Sequence, residues 1–326
     1  MAENPTINQL VQIGIETTPG TGVAATKRFT AMKVEPGVRA DVKTYKAAGY
    51  RFPTVASLSK EWVESALSGP LTYTEIIYAL SSLIKAVSPS GAGTAKTWTF
   101  APTSTGGDTR KTFTVEHGSS DRGKKFAYGL VTGLTFQFSR EECTLSGALL
   151  GKALQDNQAL TALTSAAEIA LLPVMPTQVA LYVADTQAGL AGATAMTRAF
   201  SAGFTLENLS GPIYPLNQSS SFAAMVETEP TGTMQLKAAV DSEGMALLTN
   251  LRAGSTKFIR IKALGDLISG SDYYMLQVDA AIKVTKPQDF SDEQGVYAIG
   301  WDGELTHDST WGKACEITVV NIAAAL

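Results

Sequence analysis

Charged residues are scarce in this sequence. Asp, Glu, Lys and Arg make up 17% of its 326 residues, whereas about 25% is usual for a soluble domain. Hydrophobic residues stand at an ordinary 44%, so the shortage of charge does not reflect an excess of apolar residues. A surface with few charges is typical of a protein that is covered by protein partners. The net charge of −4 also excludes the basic footprint of a tight nucleic-acid-binding protein.

Cysteines and long apolar runs are equally few. Cys143 and Cys315 cannot form a disulfide framework, so we expect two free thiols in a reducing cytoplasm. No apolar run reaches the roughly 18–20 residues of a membrane-spanning helix. The first ten residues, "MAENPTINQL", lack the basic and apolar regions of a secretory signal. We therefore expect a protein made in the cytoplasm with no membrane partner.

The inventory of catalytic residues is thin. The two histidines are His117 in "TVEHGSS" and His307 in "GELTHDST", each at the end of a predicted strand. Either could serve as a base, but no nucleophile elbow, H-E-x-x-H or C-x-x-C motif accompanies them. We predict no catalytic, cofactor or metal site and no enzyme activity. A hydrolase with a diverged triad is the alternative that these two histidines leave open.

Two glycine-containing segments look at first like phosphate-binding loops. In "TPGTGVAATK" (18–27) the lysine lies five residues after Gly22 and is followed by Arg28. A P-loop requires the lysine directly after the last glycine and a Ser or Thr after the lysine. The segment "GALLGKAL" (147–154) is one residue too short and has Ala153 in place of the hydroxyl. We predict an ordinary turn at 18–27 instead.

The segment "PLTYTEIIYALSSLIKA" (70–86) predicts the first helix. Its apolar residues recur at intervals of three and four, which places them on one helical face. Thr72 and Glu75 form a T-x-x-E capping box at its start. We predict a helix over residues 71–86.

The segment "DSEGMALLTNLRAG" (241–254) predicts a second, shorter helix. Leu248 and Leu251 lie on one face, and Gly254 is a typical stop residue. We predict a helix over residues 242–253.

Most other segments alternate apolar with polar residues, as half-buried strands do. Leu134, Phe136 and Phe138, for example, alternate with Thr135 and Gln137. We expect a turn between two of the predicted strands, 220–230 and 232–241. The full set of predicted strands covers residues 56–67, 112–117, 124–141, 179–185, 198–209, 220–230, 232–241, 257–264, 272–286, 295–307 and 314–322.

The two halves of the sequence share one order of elements. Each half has extended segments, one helix, a short alternating strand, a turn, a long strand and a further strand. "TFTVEHGSSDRGKKFAYGLVTGLTF" of the first half lines up in pattern with "KFIRIKALGDLISGSDYYMLQVDAAI" of the second. We predict a mainly β protein (α+β) that contains an internal duplication, with one helix per unit. The predicted parts are an N-terminal arm (1–29), a first unit (30–154), a linker (155–178) and a second unit (179–326).

Several of these segments together resemble the major tail tube proteins of long-tailed bacteriophages. They are the arm "ETTPGTGVAATKRF" (16–29), the β-rich unit with one helix, and "YGLVTGLTFQFSRE" (128–141), with "LLPVMPTQVALYVAD" and "YAIGWDGEL" in the second half. The resemblance covers most of the chain. It implies tail-tube-like β-sandwich or barrel-segment units whose sheets join side by side around a channel.

The resemblance also implies a function and a set of partners. Rings of subunits stack into a tube through which genomic DNA passes, and the virion tail is assembled in the cytoplasm of the bacterial host. The implied partners are other copies of the chain and other tail proteins, such as the tape measure, terminator and distal tail proteins. A net acidic chain suits a channel that repels phosphate. Six units around the channel would need three duplicated chains with pseudo-sixfold symmetry. The alternative is a ring of six chains.

The segment "DVKTYKAAGYRFPTVAS" (41–57) is the candidate contact between rings. Tyr45, Tyr50 and Phe52 are its aromatic anchors, and Arg51 adds a charge. The equivalent segment of the second half, "LSGPIYPLNQSSS" (209–221), is shorter. An ordinary exposed loop explains the composition of 41–57 equally well.

A different class of protein remains as the main alternative for the whole chain. A β-sandwich surface adhesin or glycan-binding module would have a similar strand pattern. The missing secretory signal argues against it.

Overall fold

A computed structural model describes residues 6–119 and 122–326, and the chain is mainly β with two α-helices, as predicted. The helices are α1 (Ile76–Leu83) and α2 (Ser242–Ala253). The strands of the first half are β1 (Leu10–Ile15), β2 (Lys27–Phe29), β3 (Lys33–Tyr45), β4 (Val55–Pro70), β5 (Lys96–Phe100), β6 (Phe113–Gly118), β7 (Gly123–Ser139), β8 (Cys143–Gly151), β9 (Gln155–Gln158) and β10 (Ala167–Glu168). Those of the second half are β11 (Val179–Ala184), β12 (Ala199–Ile213), β13 (Ala224–Ala239), β14 (Thr256–Ser269), β15 (Asp272–Pro287), β16 (Ser291–Glu293), β17 (Val296–Leu305) and β18 (Cys315–Asn321).

Eight strands form one continuous antiparallel sheet across both halves, which we call the band. Its order is β3–β4–β8–β7–β12–β13–β17–β15. The short strand β16 continues the edge of β15 beside β17. On one face of the band, α1 packs against β7 and α2 against β15. The hydrophobic core lies on this face.

The long strands β7 and β15 each leave the band and join a second set of strands. The first part of β7 pairs with β6 and β9, and β6 pairs in turn with β1. The first part of β15 pairs with β14 and β18, and β14 pairs in turn with β11. Each long strand therefore links the band to a second, smaller set of paired strands.

These pairings repeat between the two halves. The pairs β1–β6, β6–β7, β7–β9, β7–β8, β8–β4 and β4–β3 have antiparallel counterparts. The counterparts are β11–β14, β14–β15, β15–β18, β15–β17, β17–β13 and β13–β12, in the same order. Six pairings therefore recur in the same order in both halves, with the helix at the same place after the β3–β4 or β12–β13 hairpin, while β2, β5 and β10 are additions of the first half.

A β-bulge at equivalent positions of β7 and β15 aligns these two strands. β7 carries an extra residue, Thr132, opposite β8, and β15 carries an extra residue, Thr285, opposite β17. Each threonine hydroxyl donates to a carbonyl of the partner strand, Thr132 to Ala148 at 3.4 Å and Thr285 to Asp302 at 3.2 Å. Because a bulge sets the register on both sides of it, β7 and β15 can be aligned through these two threonines.

The first helix is shorter than predicted at both ends, and at its start the capping box is only half formed. The Thr72 hydroxyl accepts from the Glu75 N–H at 3.1 Å. The Glu75 carboxylate instead accepts from the backbone N–H groups of Thr30, Ala31 and Met32, at 2.5, 3.0 and 2.7 Å. Residues 71–75 therefore lead into the helix as an extended segment and a turn, and the helix is Ile76–Leu83 instead of 71–86.

The second helix is confirmed over the predicted residues 242–253. Gly254 ends it with φ of +60°, the left-handed conformation in which glycine is favoured after a helix. Leu248 and Leu251 pack against the core, as predicted, and Leu247 is buried beside them.

The predicted turn between 220–230 and 232–241 is wrong, because one strand, β13, runs through it. Pro230 lies opposite Asn208, next to an irregularity between Asn208 and Ser210 in the pairing with β12. A proline that donates no backbone hydrogen bond is tolerated at such a point. The residues after it pair on both sides, with β12 and with β17.

The predicted loop 41–57 is largely a hairpin. β3 extends to Tyr45 and β4 begins at Val55, so the connecting segment is only 46–54. The hairpin of the second half connects Ile213 to Ala224 through residues 214–223. It is therefore not the shorter of the two connections, contrary to the sequence-based interpretation.

The expected arm and linker are both tied into the sheets. In the region predicted as an N-terminal arm, β1 pairs with β6 along its whole length, and Ile13 is part of the core. In the region predicted as a linker, β9 pairs with β7 and β10 pairs with β2. The two halves are also joined by β5 of the first half, which pairs with β18 of the second.

Candidate assembly surfaces

The two histidines lie in different environments and in different halves. His117 is half-buried near the end of β6, and burial lowers its pKa, with Lys124 lowering it further. His307 is exposed in the loop after β17. Among residues 6–119 and 122–326, no three His, Cys, Asp or Glu side chains are grouped to hold a metal ion.

The glycine-containing segment 18–27 encloses a carboxylate. Buried Glu16 accepts from the Gly20 N–H at 2.7 Å and from the Tyr128 N–H at 2.8 Å. It also accepts from the hydroxyls of Thr112 and Thr114, at 2.8 and 2.9 Å. The backbone donor that could bind a phosphate is occupied by an internal anion, which would repel a second one. The segment is a turn, as predicted.

Both cysteines are free and buried. Burial raises the pKa of the Cys143 thiol to about 11 and that of Cys315 to about 12. A thiol must ionise to act as a nucleophile, so neither is suited to catalysis.

The joint between the two halves is a strand pairing that the sequence analysis did not foresee. β12 pairs antiparallel with the last part of β7, from Ser201 opposite Ser139 to Glu207 opposite Gly133. On its core face Phe136 and Phe204 stack with their ring centroids 5.9 Å apart. We call this pairing the internal joint. Alternation had marked both strands, but alternation does not state which strands pair.

The first hairpin, β3–β4, forms an exposed projection that we call arm 1. Val38, Val42, Val55 and Leu58 are exposed along it. At its tip the predicted anchors Tyr45, Tyr50 and Phe52 are exposed too, and Phe52 is 78% accessible. Arg51 lies beside them and is also exposed. The structure thus brings all four predicted contact residues together at one apolar tip.

The second hairpin, β12–β13, is arm 2, and its tip lies on the first half of the chain. Phe222 at this tip is only 1% accessible, because its ring packs edge-on against the rings of Tyr128 and Tyr214, with centroid distances of 5.2 and 6.2 Å. The carbonyl of Ser220 accepts from the N–H of Glu61 in arm 1 at 2.9 Å. The two arms are equivalent in topology, but arm 2 buries its tip aromatic Phe222, while Leu216 of the same tip stays exposed.

The face of the band opposite the core is polar and bears few charges at its centre. One row crosses all eight strands through directly opposed residues. The Thr135 and Thr205 hydroxyls of this row are 3.0 Å apart across the internal joint. In order, the row is Lys33, Ser68, Ser146, Thr135, Thr205, Thr233, Glu304 and Lys283. The adjacent row has Thr144, Gln137, Gly203, Gln235 and Asp302.

The chain matches no model of a known protein family, and no curated protein matches it either. No helix in the described ranges is both long and apolar enough to span a lipid bilayer.

Proposed function

We propose that this chain is a structural subunit that assembles with copies of itself into rings, and that these rings stack into the tail tube of a long-tailed bacteriophage. One observation carries the proposal. The band is an open eight-stranded sheet with its core on one face and a polar face on the other, and within the described residues the strand at each edge lacks an outer partner. Open edges normally demand a cover or a partner, and closing the sheet on copies of itself supplies one.

The repeat suggests how many copies close the sheet. Six strand pairings recur in the same order in both halves, as two units per chain would require, and the resemblance to tail tube proteins implies six units per ring. Three chains with pseudo-sixfold symmetry would then form a wall of twenty-four strands. With strands about 4.8 Å apart and tilted by about 40°, such a wall is about 45–50 Å across between backbones. That leaves room for a DNA duplex.

The polar face has the chemistry that a passage for DNA requires. Hydroxyl and amide side chains dominate the centre of the band. Lys or Arg side chains in their place would bind phosphate and slow the DNA. We place this face toward the channel and the core, with α1 and α2, toward the outside. The proposed location is the virion tail, with the other tail proteins as further partners.

Arm 1 supplies a second contact between copies. Its exposed aromatic tip is an unusual surface for a protein that stays monomeric. The resemblance implies a contact with the next ring. Arm 2 packs on the first half of its own chain, and by analogy arm 1 would pack on the neighbouring copy in the same ring. Both occupants are copies of this chain.

The test is direct observation of the assembly. We expect purified protein to form rings or tubes in negative-stain micrographs, and native mass spectrometry of rings to give three chains. Six chains per ring would contradict the duplicated-unit arrangement. A monodisperse monomer at high concentration, without particles, would contradict the function itself, and glycan binding by that monomer would support the adhesin alternative.

A further inference from the structure

The two edges of the band are unpaired in the part of the chain that the structure describes. β3 pairs only with β4. Beyond Lys283 the outer side of β15 has no partner, and β16 pairs only with β17. Both edges keep backbone donors and acceptors available for a further strand.

The internal joint is a template for what these edges do. β3 corresponds to β12, and the end of β15 with β16 corresponds to the end of β7. β12 and β7 pair with each other inside the chain. We propose that β3 of one copy pairs antiparallel with the β15–β16 edge of a second copy, in the register of the internal joint. This inference rests on the proposed function, since it assumes that copies assemble.

The repeat gives the register of this intermolecular pairing. The Thr132 and Thr285 bulges align β7 with β15, and the pairings of β4 with β8 and of β13 with β17 align β3 with β12. The β15–β16 edge contains one residue more than the equivalent part of β7, and the extra residue lies between Gln288 and Ser291. The N–H of Gln288 donates to the Gly300 carbonyl and Ser291 pairs with Ala298, which fixes the positions of both residues. The resulting opposed pairs are Val38 with Pro287, Pro36 with Phe290, Glu35 with Ser291, and Lys33 with Glu293.

The burial of equivalent residues supports this register. Phe136 and Leu206 are 1% and 3% accessible, because each packs in the internal joint. Their counterparts at the free edges, Phe290 and Val38, are 60% and 51% accessible. The edges thus carry apolar side chains at the positions that the internal joint buries, and a second copy would cover them.

The charges suit a contact that is specific and weaker than the internal joint. Lys33 would face Glu293, which already contacts Lys237 within the chain. At the other end Arg39 would face Lys286, but Arg39 has its own partner, Glu64, at 2.8 Å. Pro36 and Pro287 remove a backbone donor from each edge. We therefore expect fewer hydrogen bonds here than in the internal joint.

Disulfide cross-linking tests the register. The double variant Lys33→Cys/Glu293→Cys places two thiols directly opposite each other in the proposed pairing, where opposed Cβ atoms are about 4.5–5.5 Å apart. Oxidation should give covalent dimers and trimers on a non-reducing gel, with the trimer as the largest species because it closes on itself. In the control Arg39→Cys/Glu293→Cys the thiol on β3 lies six residues from the position opposite Glu293, about 20 Å along the strand. This control should remain uncross-linked. The native cysteines are buried in both variants.

The outcomes separate this inference from the proposed function. Rings in micrographs without a cross-link in the first variant, or with equal cross-linking in the control, would overturn the register alone. A ladder extending beyond trimers would overturn closure by three copies. A monomer that neither cross-links nor forms particles would overturn both proposals.

A matched pair of phenylalanine variants provides an independent readout. Phe290→Ala should leave the thermal transition of the monomer unchanged and weaken association by about tenfold or more, as loss of a central aromatic contact does. Phe204→Ala, at the internal joint, should lower the transition temperature of the monomer. Equal association of Phe290→Ala and the unaltered chain would contradict the pairing.

Discussion

Single buried carboxylates bind backbone segments that are distant in sequence. Glu75, at the start of α1, accepts three backbone N–H groups from the segment between β2 and β3. Glu16 likewise binds β6 and β7 to the turn at Gly20. Buried donors that lose such a partner destabilise the fold strongly, because they no longer have water as an alternative.

We expect Glu75→Ala to lower the free energy of unfolding by about 2–5 kcal/mol, since it leaves buried backbone donors without an acceptor. Glu75→Gln keeps one acceptor oxygen and should lower the free energy of unfolding by less than Glu75→Ala does. Urea denaturation measures both. Glu141→Ala, at an exposed position, should stay within about 0.5 kcal/mol of the unaltered chain. Equal effects of Glu75→Ala and Glu141→Ala would contradict this role.

His117 should make stability depend on pH. Burial lowers its pKa from the ordinary 6.5, so the unfolded chain takes up the proton first as the pH falls. The free energy of unfolding should be independent of this residue above pH 6.5 and decrease below it, until the lower pKa of the folded state is reached.

Urea midpoints measured between pH 8 and pH 5 check this dependence. His117→Gln should reduce it, whereas His307→Gln, at an exposed position, should not. Asp156 does not interfere, because its hydrogen bond from Arg122 holds its pKa at about 2, below this window. A pH dependence unchanged by His117→Gln would disprove the assignment.

The thiols of Cys143 and Cys315 should be inert in the folded chain. Both are buried, and burial raises both pKa values, so little thiolate is present at neutral pH. Iodoacetamide should label neither in native buffer and both in urea, as intact-mass measurement would report. Rapid labelling of either one in the native state, or a bond between them, would contradict this prediction.

At the scale of elements, the two arms are hairpins of equivalent topology that make different contacts. Arm 2 buries Phe222 of its tip against Tyr128 of the same chain, whereas arm 1 leaves the aromatic residues of its tip exposed. The difference lies in what the tips contact, since the hairpins have equivalent pairings and connections of similar length.

Replacing the arm 1 anchors should separate folding from assembly. The variant Tyr45→Ser/Tyr50→Ser/Phe52→Ser removes only exposed side chains, so its free energy of unfolding should change by less than about 0.5 kcal/mol per site. Its assembly, followed by light scattering, should be weakened. The control Phe222→Ser, at a buried position of arm 2, should lower the free energy of unfolding by about 3–5 kcal/mol, as truncation of a buried aromatic does. Normal tubes from the triple variant would remove arm 1 from the contact.

The sequence predicts elements better than it predicts their partners. Alternation located most of the long strands but missed β3 and β8 and divided β13 in two. The stop at Gly254 marked the end of α2, because that signal is local. The pairing of β12 with β7 depends on side-chain packing between segments some seventy residues apart, which no local pattern records. The capping box misled for a similar reason, because Glu75 found better donors in a distant segment.

At the scale of the molecule, the polar face of the band has a testable orientation. If it lines a channel, Ser146→Cys on this face should react with a bulky polymer maleimide in the free subunit but not in tubes. A small maleimide should reach it in both. Ala253→Cys, at the end of α2 on the core side of the band, should react with both reagents in both states. Equal protection of the two sites would contradict the orientation.

The prolines at the band edges have a mechanical consequence. In a ring of three chains, internal joints would alternate with intermolecular joints, and only the intermolecular ones contain Pro36 opposite Phe290 and Pro287 opposite Val38. A tube pulled or pressurised from within would then not fail at random positions around its circumference. It would split along three lengthwise seams, one third of a turn apart, and the fragments would be columns of intact subunits.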